Sequence, residues 1–202
     1  MPDRPLVLAF DTSAAHCAAA LLCGDDVLQS ALEPMARGQA ERLLGLCQEL
    51  LAAGQVAFDD LDAIGVGIGP GNFTGIRIAV SAARGLALGL GIPAVGVSGF
   101  DALRFGTCGP CACAIDARRD QVYLQTFGNG AASPGLVDAD ALGAFDGPLI
   151  GAGGRPPLHP VAQAIGHITA ERYATTRDRP APLYLRAADA APARDAAPAL
   201  LP

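Results

Sequence analysis

The sequence contains no lysine and no tryptophan, so all fourteen of its basic residues are arginine. Without lysine, the chain can neither complete a phosphate-binding loop ending in Gly-Lys-Ser/Thr nor form a Schiff base with a carbonyl substrate. Aromatic residues make up only 5%, and the arginines are scattered. No stretch of interleaved cations and rings therefore offers a stacking groove for single-stranded RNA. Arg118 and Arg119 are the one adjacent basic pair, flanked by Asp116 and Asp120. A formal net charge of −6 opposes independent binding to a polyanion, so any RNA has to be held by another protein.

Histidine is scarce as well, with only His16, His159 and His167 present. A helical zinc pair needs histidines at i and i+4, whereas His159 and His167 are two turns apart, about 12 Å at the helical rise. That spacing predicts no shared metal ion. No run of about 18 or more apolar residues marks a membrane span. The chain passes from Met1 into a short strand without a signal segment, which predicts a cytoplasmic protein with reduced cysteines. Cys17, Cys23 and Cys47 sit in apolar patterns and read as small core residues. Cys108-Gly-Pro-Cys111-Ala-Cys113 contains a thioredoxin-type spacing, but it runs into a predicted strand instead of a helix N-terminus that would activate a thiolate.

What is abundant is apolar surface. Half of the residues (51%) are hydrophobic, enough for a substantial core in one large domain or two small ones. Strands are predicted at 6–10, 17–22 and 27–32, with a hairpin turn at Gly24-Asp25-Asp26. Leu43, Leu44, Cys47, Leu50 and Leu51 recur at helical spacing and predict a helix ending near Gly54. A strand at 63–68, a helix at 76–90 stopping at Gly91, and a strand at 94–97 follow, after which Ser98 caps a short helix. The second half is thinner: a hairpin over 112–116 and 121–127, a short strand at Leu149-Ile150, and a helix over 160–172 with Val161, Ile165 and Ile168 inward. The order predicts an α/β fold of the actin-like, ribonuclease-H-like class (ASKHA), a mixed β-sheet with flanking helices and a reduced second lobe. The boundaries are 1–103 for the first lobe, 104–186 for the second and 187–202 for an alanine- and proline-rich tail. The two halves are also candidates for a worn duplication.

The most informative stretch is GVGIGPGNFTGIRIAVSAARGLALGLGIPAVGV (65–97), one strand-loop-helix-strand unit. Its glycine-rich turn, Gly69, Pro70, Gly71, Asn72, Phe73, Thr74 and Gly75, permits close backbone approach. The helix after it is apolar or small nearly all round, with Arg77, Ser81 and Arg84 its only strongly polar breaks. One side must cover the sheet and the other calls for a partner. Leu43, Leu46 and Leu50 on the preceding helix, with Ile76, Arg77, Ala79, Val80, Ala83 and Arg84, form the expected partner interface. The alternative is burial of this helix under the second half. Asp11 and Thr12 end the first strand, where actin-like ATPases place metal-bound phosphates. Asp-Thr-Ser is also an ordinary turn in which side chains bond nearby backbone amides, and Gly151 to Gly154 is only a weak second phosphate loop.

The segments LAFDTSAAHCAAAL (8–21), GIGPGNFTGIRIA (67–79), GLALGLGIPAVGVS (85–98), AIDARRDQVY (114–123) and PLYLR (182–186) resemble the TsaB (YeaZ) family. The family usually has serine where this chain has Asn72, and many members carry a histidine in the loop that here reads Met35-Ala36-Arg37-Gly38-Gln39. The resemblance implies a non-catalytic subunit that pairs with the catalytic subunit TsaD, with the ATPase TsaE joining the pair. That complex transfers a threonylcarbamoyl group to the adenosine 3′ of the anticodon in tRNAs reading ANN codons. With the charge, histidine and hydropathy readings above, the expectation is no cofactor, no metal, tRNA contact only through the complex and no membrane, and the apolar face of the helix 76–90 predicts a homodimer when the chain is alone. Two alternatives stand beside it: an actin-like ATPase or small-molecule kinase, and a metallopeptidase of the glycoprotease (M22) type.

Overall fold

The computed structural model describes residues 4–128, 132–144 and 147–185. The tail expected over 187–202, together with Arg186, lies outside the described residues. Strands β1 (Leu6–Asp11), β2 (His16–Cys23) and β3 (Asp26–Pro34) form an antiparallel meander. Helix α1 (Gln39–Ala53), β4 (Ala63–Gly67), α2 (Phe73–Leu90) and β5 (Ala94–Val97) follow. The strand β4 enters parallel to β1, and β5 parallel to β4, giving the order β3-β2-β1-β4-β5. Helix α3 (Gly99–Arg104) leads to β6 (Cys111–Asp116), β7 (Gln121–Phe127), β8 (Gly135–Asp138), β9 (Leu149–Gly151) and α4 (Val161–Arg172). The second sheet runs β8-β7-β6-β9, antiparallel except for the β6 and β9 pair. Each sheet is thus a three-strand meander joined by a strand that returns parallel to the first. This shared topology is the actin-like architecture and the form in which a duplication would persist.

The first sheet is covered on both faces, which explains its apolar strands. On β2, Cys17, Ala19 and Leu21 face α1 and α2, while Ala18, Ala20 and Leu22 face α4. Placement of α4 departs from the sequence expectation, which assigned 160–172 to the second lobe. It lies instead on the back of the first sheet, against β1, β2, β4 and β5. Small residues on both sides make this possible: a Cβ at Gly166 would overlap Leu22, and one at Gly65 would overlap the Thr169 hydroxyl. The second sheet keeps its own small core around Phe100, Cys111, Cys113, Tyr123 and Ile150. Sequence reasoning missed β8, a four-residue strand set among glycine and proline. It also started α2 three residues late, because Asn72, not a residue nearer Ile76, is the N-cap.

Candidate functional site

The end of β1 and the glycine-rich turn interlock. Asp11, only 2% exposed, accepts hydrogen bonds on Oδ1 from the Ser13 amide (3.0 Å), the Ser13 hydroxyl (2.9 Å) and His16 Nε2 (2.7 Å). The turn reading of Asp-Thr-Ser therefore describes the geometry, with His16 as a partner that the sequence analysis had weighed only as a metal ligand. Thr12 is fully buried and donates to the Gly75 carbonyl at 2.6 Å. The Asn72 amide donates to Ser13 O at 2.6 Å, and Asn72 Oδ1 accepts from the amides of Thr74 and Gly75. A Cβ at Gly67 would overlap Asp11 Oδ2, one at Gly71 the Ser13 carbonyl, and one at Gly75 the Thr12 carbonyl.

Gly71 and Gly75 admit the chain's own backbone, and Gly67 admits the Asp11 carboxylate. At the start of α2 the amides of Thr74 and Gly75 are satisfied by Asn72 Oδ1 and that of Asn72 by the Ser13 carbonyl. In the second candidate loop the amides of Gly151, Ala152 and Gly154 donate to Arg155 O, Ala114 O and Gly151 O.

The expected partner residues divide sharply. Leu43, Leu46, Leu50, Ile76, Ala79, Val80 and Ala83 are buried, none more than 7% exposed, in the core beneath the first sheet's α1 and α2. Their place on an interface needs correction: helical spacing marked them as buried, but the chain's own sheet buries them. Each of the larger ones contributes about 1.5–3 kcal/mol to that core by leaving water. Arg77 and Arg84 are exposed, along with Thr74, Ser81, Gly85 and Leu88, the last at 79%. This stripe is the free face of α2. The helix has the length and hydropathy of a membrane span, yet its other face is packed on the sheet and two arginines break the free one.

At the N-terminal end of α2, the Arg77 guanidinium carbon lies 3.8 Å from the Phe73 ring centroid, and Arg77 Nε donates to Tyr184 Oη at 2.9 Å. The Phe73 and Tyr184 ring centroids lie 4.9 Å apart with the planes tilted by 30°. The fold thus assembles an arginine and aromatic cluster from positions far apart in sequence, where none was legible in the chain. Its rings expose 37% and 42%.

Among the cysteines, burial pushes Cys17 up to about 11 and both Cys47 and Cys113 up to about 12, so these thiols resist ionisation. Cys111 opens β6 and Cys108 is exposed ahead of it, away from any helix N-terminus. The histidines differ from expectation. His159 precedes α4, and Pro160 turns the chain so that the His159 and His167 rings come to 5.7 Å, both packed on Phe105. A helical rise does not apply to a residue outside the helix. Among the described residues, no three His, Cys, Asp or Glu side chains gather as a metal site, so the peptidase alternative lacks a donor set there.

Residues 33–132 match the family described as TsaD, tRNA N6-adenosine threonylcarbamoyltransferase. An uncharacterised protein of Mycobacterium tuberculosis strain H37Rv is 35% identical over 203 residues, covering 92% of this chain and 94% of that protein. The tRNA threonylcarbamoyladenosine biosynthesis protein TsaB of Escherichia coli K12 is 35% identical over 60% of this chain and 54% of its own length. The solved structure of YeaZ from Pseudomonas aeruginosa is 29% identical, with a TM-score of 0.66 over 90% of this chain and all of that one. This chain belongs to the TsaB family. The TsaB of Bacillus subtilis, 33% identical over 67% of this chain and 62% of that protein, falls in the same range. A second solved structure, described as similar to peptidase YeaZ from P. aeruginosa, superposes with a TM-score of 0.71 at 27% identity. TsaB membership accounts for a fold with an actin-like core.

Proposed function

We propose that this chain is a non-catalytic subunit of tRNA threonylcarbamoyladenosine biosynthesis, working in the cytoplasm by pairing with the TsaD homologue of its host. The observation that supports the reading is the likeness to TsaB proteins, together with a glycine-rich turn whose Gly71, Gly75 and Gly67 pack against the chain's own Ser13, Thr12 and Asp11. In this reading the chain acts through a surface. The surface offered is the free face of α2, an apolar and cationic stripe through Arg77, Ser81, Arg84 and Leu88. TsaE joins the pair in this reading, tRNA meets the chain only in the assembly, and free chain self-associates through the same face.

Binding to the TsaD homologue, measured by calorimetry, tests this. Ser81→Arg places a long charged side chain at the centre of the exposed stripe, where free protein can hydrate it but a close helix crossing cannot. The expected result is loss of TsaD binding and of the self-associated species in sedimentation, with an unchanged thermal midpoint. Wild-type chain that fails to bind TsaD would remove the subunit reading, and unaltered binding by the variant would move the interface off α2.

A further inference from the structure

A cavity of about 400 Å³ opens between the last turns of α2 and the segment that follows α4. Ala87, Ile92 and Pro93, with the exposed Leu88 beside them, give it an apolar floor, and its lining also carries Arg84, Arg177 and Arg179 with a single acid, Asp178. Among the described residues, none of those three guanidinium groups is paired with a carboxylate; Arg177 Nη1 donates only to the carbonyls of Ala174 and Thr176. Both walls are fixed. The helix α2 is held by its buried face, and the opposite segment by Thr176 Oγ1 donating to Arg172 O at 2.9 Å and by buried Pro180 against Gly96. The backbone on both sides is anchored, so binding has to order chiefly the arginine side chains.

We infer that this cavity is an anchor pocket for an acidic and hydrophobic segment of the partner protein, a carboxylate held by the arginines beside an aliphatic or aromatic side chain on the floor. The inference rests on the reading that α2 meets a partner, with which the pocket shares Arg84, Gly85 and Leu88. Arginine forks match carboxylate geometry, and an apolar floor under them discriminates a side-chain pair from a free ion. A nucleic-acid backbone fits less well. It needs a track of cations, whereas here Asp178 interrupts one short cluster on a chain of net charge −6.

Calorimetry of the full chain with the host's TsaD homologue at low and at moderate salt provides the test. Arg177→Ala with Arg179→Ala should weaken binding about tenfold at low salt and flatten the salt dependence. Arg118→Ala with Arg119→Ala, which removes the same charge from the β6–β7 hairpin, should leave the affinity within about twofold. Equal affinity and salt dependence in the pocket variant and the wild type would overturn the pocket alone. Equal losses in both double variants would assign the effect to net charge and overturn it too. Wild-type chain that does not bind TsaD overturns this inference together with the reading beneath it.

Discussion

Gly75 and Gly85 stand in the same helix, yet a methyl group added to each has opposite consequences. At Gly75 it would overlap the Thr12 carbonyl, a backbone atom held in the interlocked turn, whereas at Gly85 it meets nothing within 4 Å. Gly75→Ala should therefore destabilise the fold by about 3 kcal/mol, and Gly85→Ala should stabilise it by about 0.5–1 kcal/mol. Urea denaturation of the two variants checks both signs. The cysteines divide by burial in the same manner. Native chain treated with iodoacetamide at pH 8 should be modified first at Cys108, with Cys17, Cys47 and Cys113 protected, as read by peptide mass spectrometry. Cys108→Ser should leave tRNA modification intact. His167 titrates below the usual histidine range, chiefly because burial disfavours its cation and secondarily because His159 is close; Asp25 and Glu171 pull the other way. Unfolded chain therefore takes up this proton first as pH falls. The resulting loss of stability begins near the unperturbed value of about 6.5 and is complete below the lowered folded value. Thermal midpoints between pH 7.5 and 5 should fall less steeply in His167→Gln than in the wild type.

At the scale of elements, α2 shows how far periodicity reaches. The spacing of Ile76, Ala79, Val80 and Ala83 marks one buried face, and that face exists. Spacing does not say what buries it, and a sheet of the same chain leaves the same pattern as a partner helix. The division follows from the second face, where Arg77, Ser81 and Arg84 stay in water. Ala83→Arg should consequently cost the fold itself, seen as loss of the cooperative thermal transition, and only a substitution at an exposed position such as Ser81 reports on association. Strands and helices of the first half were legible because each is a long run bounded by glycine, proline or a cap. The interlock at Asp11 was legible as a turn, but its closure by Gly67, Gly71 and Gly75 depends on register between β1 and β4, which no local signal carries. The clusters of His159 with His167 and of Phe73 with Tyr184 were illegible for the same reason. Each joins residues that only the tertiary path brings together.

For the whole molecule, charge and connectivity set the behaviour. A filter-binding titration of the isolated chain with tRNA at moderate salt should stay flat into the micromolar range, because a net charge of −6 repels a polyanion and the one short cluster of arginines forms no track along a backbone. Submicromolar binding would mean that the exposed Phe73, Arg77 and Tyr184 cluster holds RNA without help. Connectivity has a separate consequence, which concerns synthesis. The back of the first sheet, with Ala18, Ala20, Leu22, Val95 and Val97, is covered by α4, the last helix among the described residues to be made. While a ribosome translates from β5 to the end of α4, on the order of several seconds at about 5–20 residues per second, that face has no cover. The nascent first half must either remain loosely collapsed or be shielded by a chaperone, and a premature stop anywhere before α4 should yield aggregated product, not a smaller folded domain.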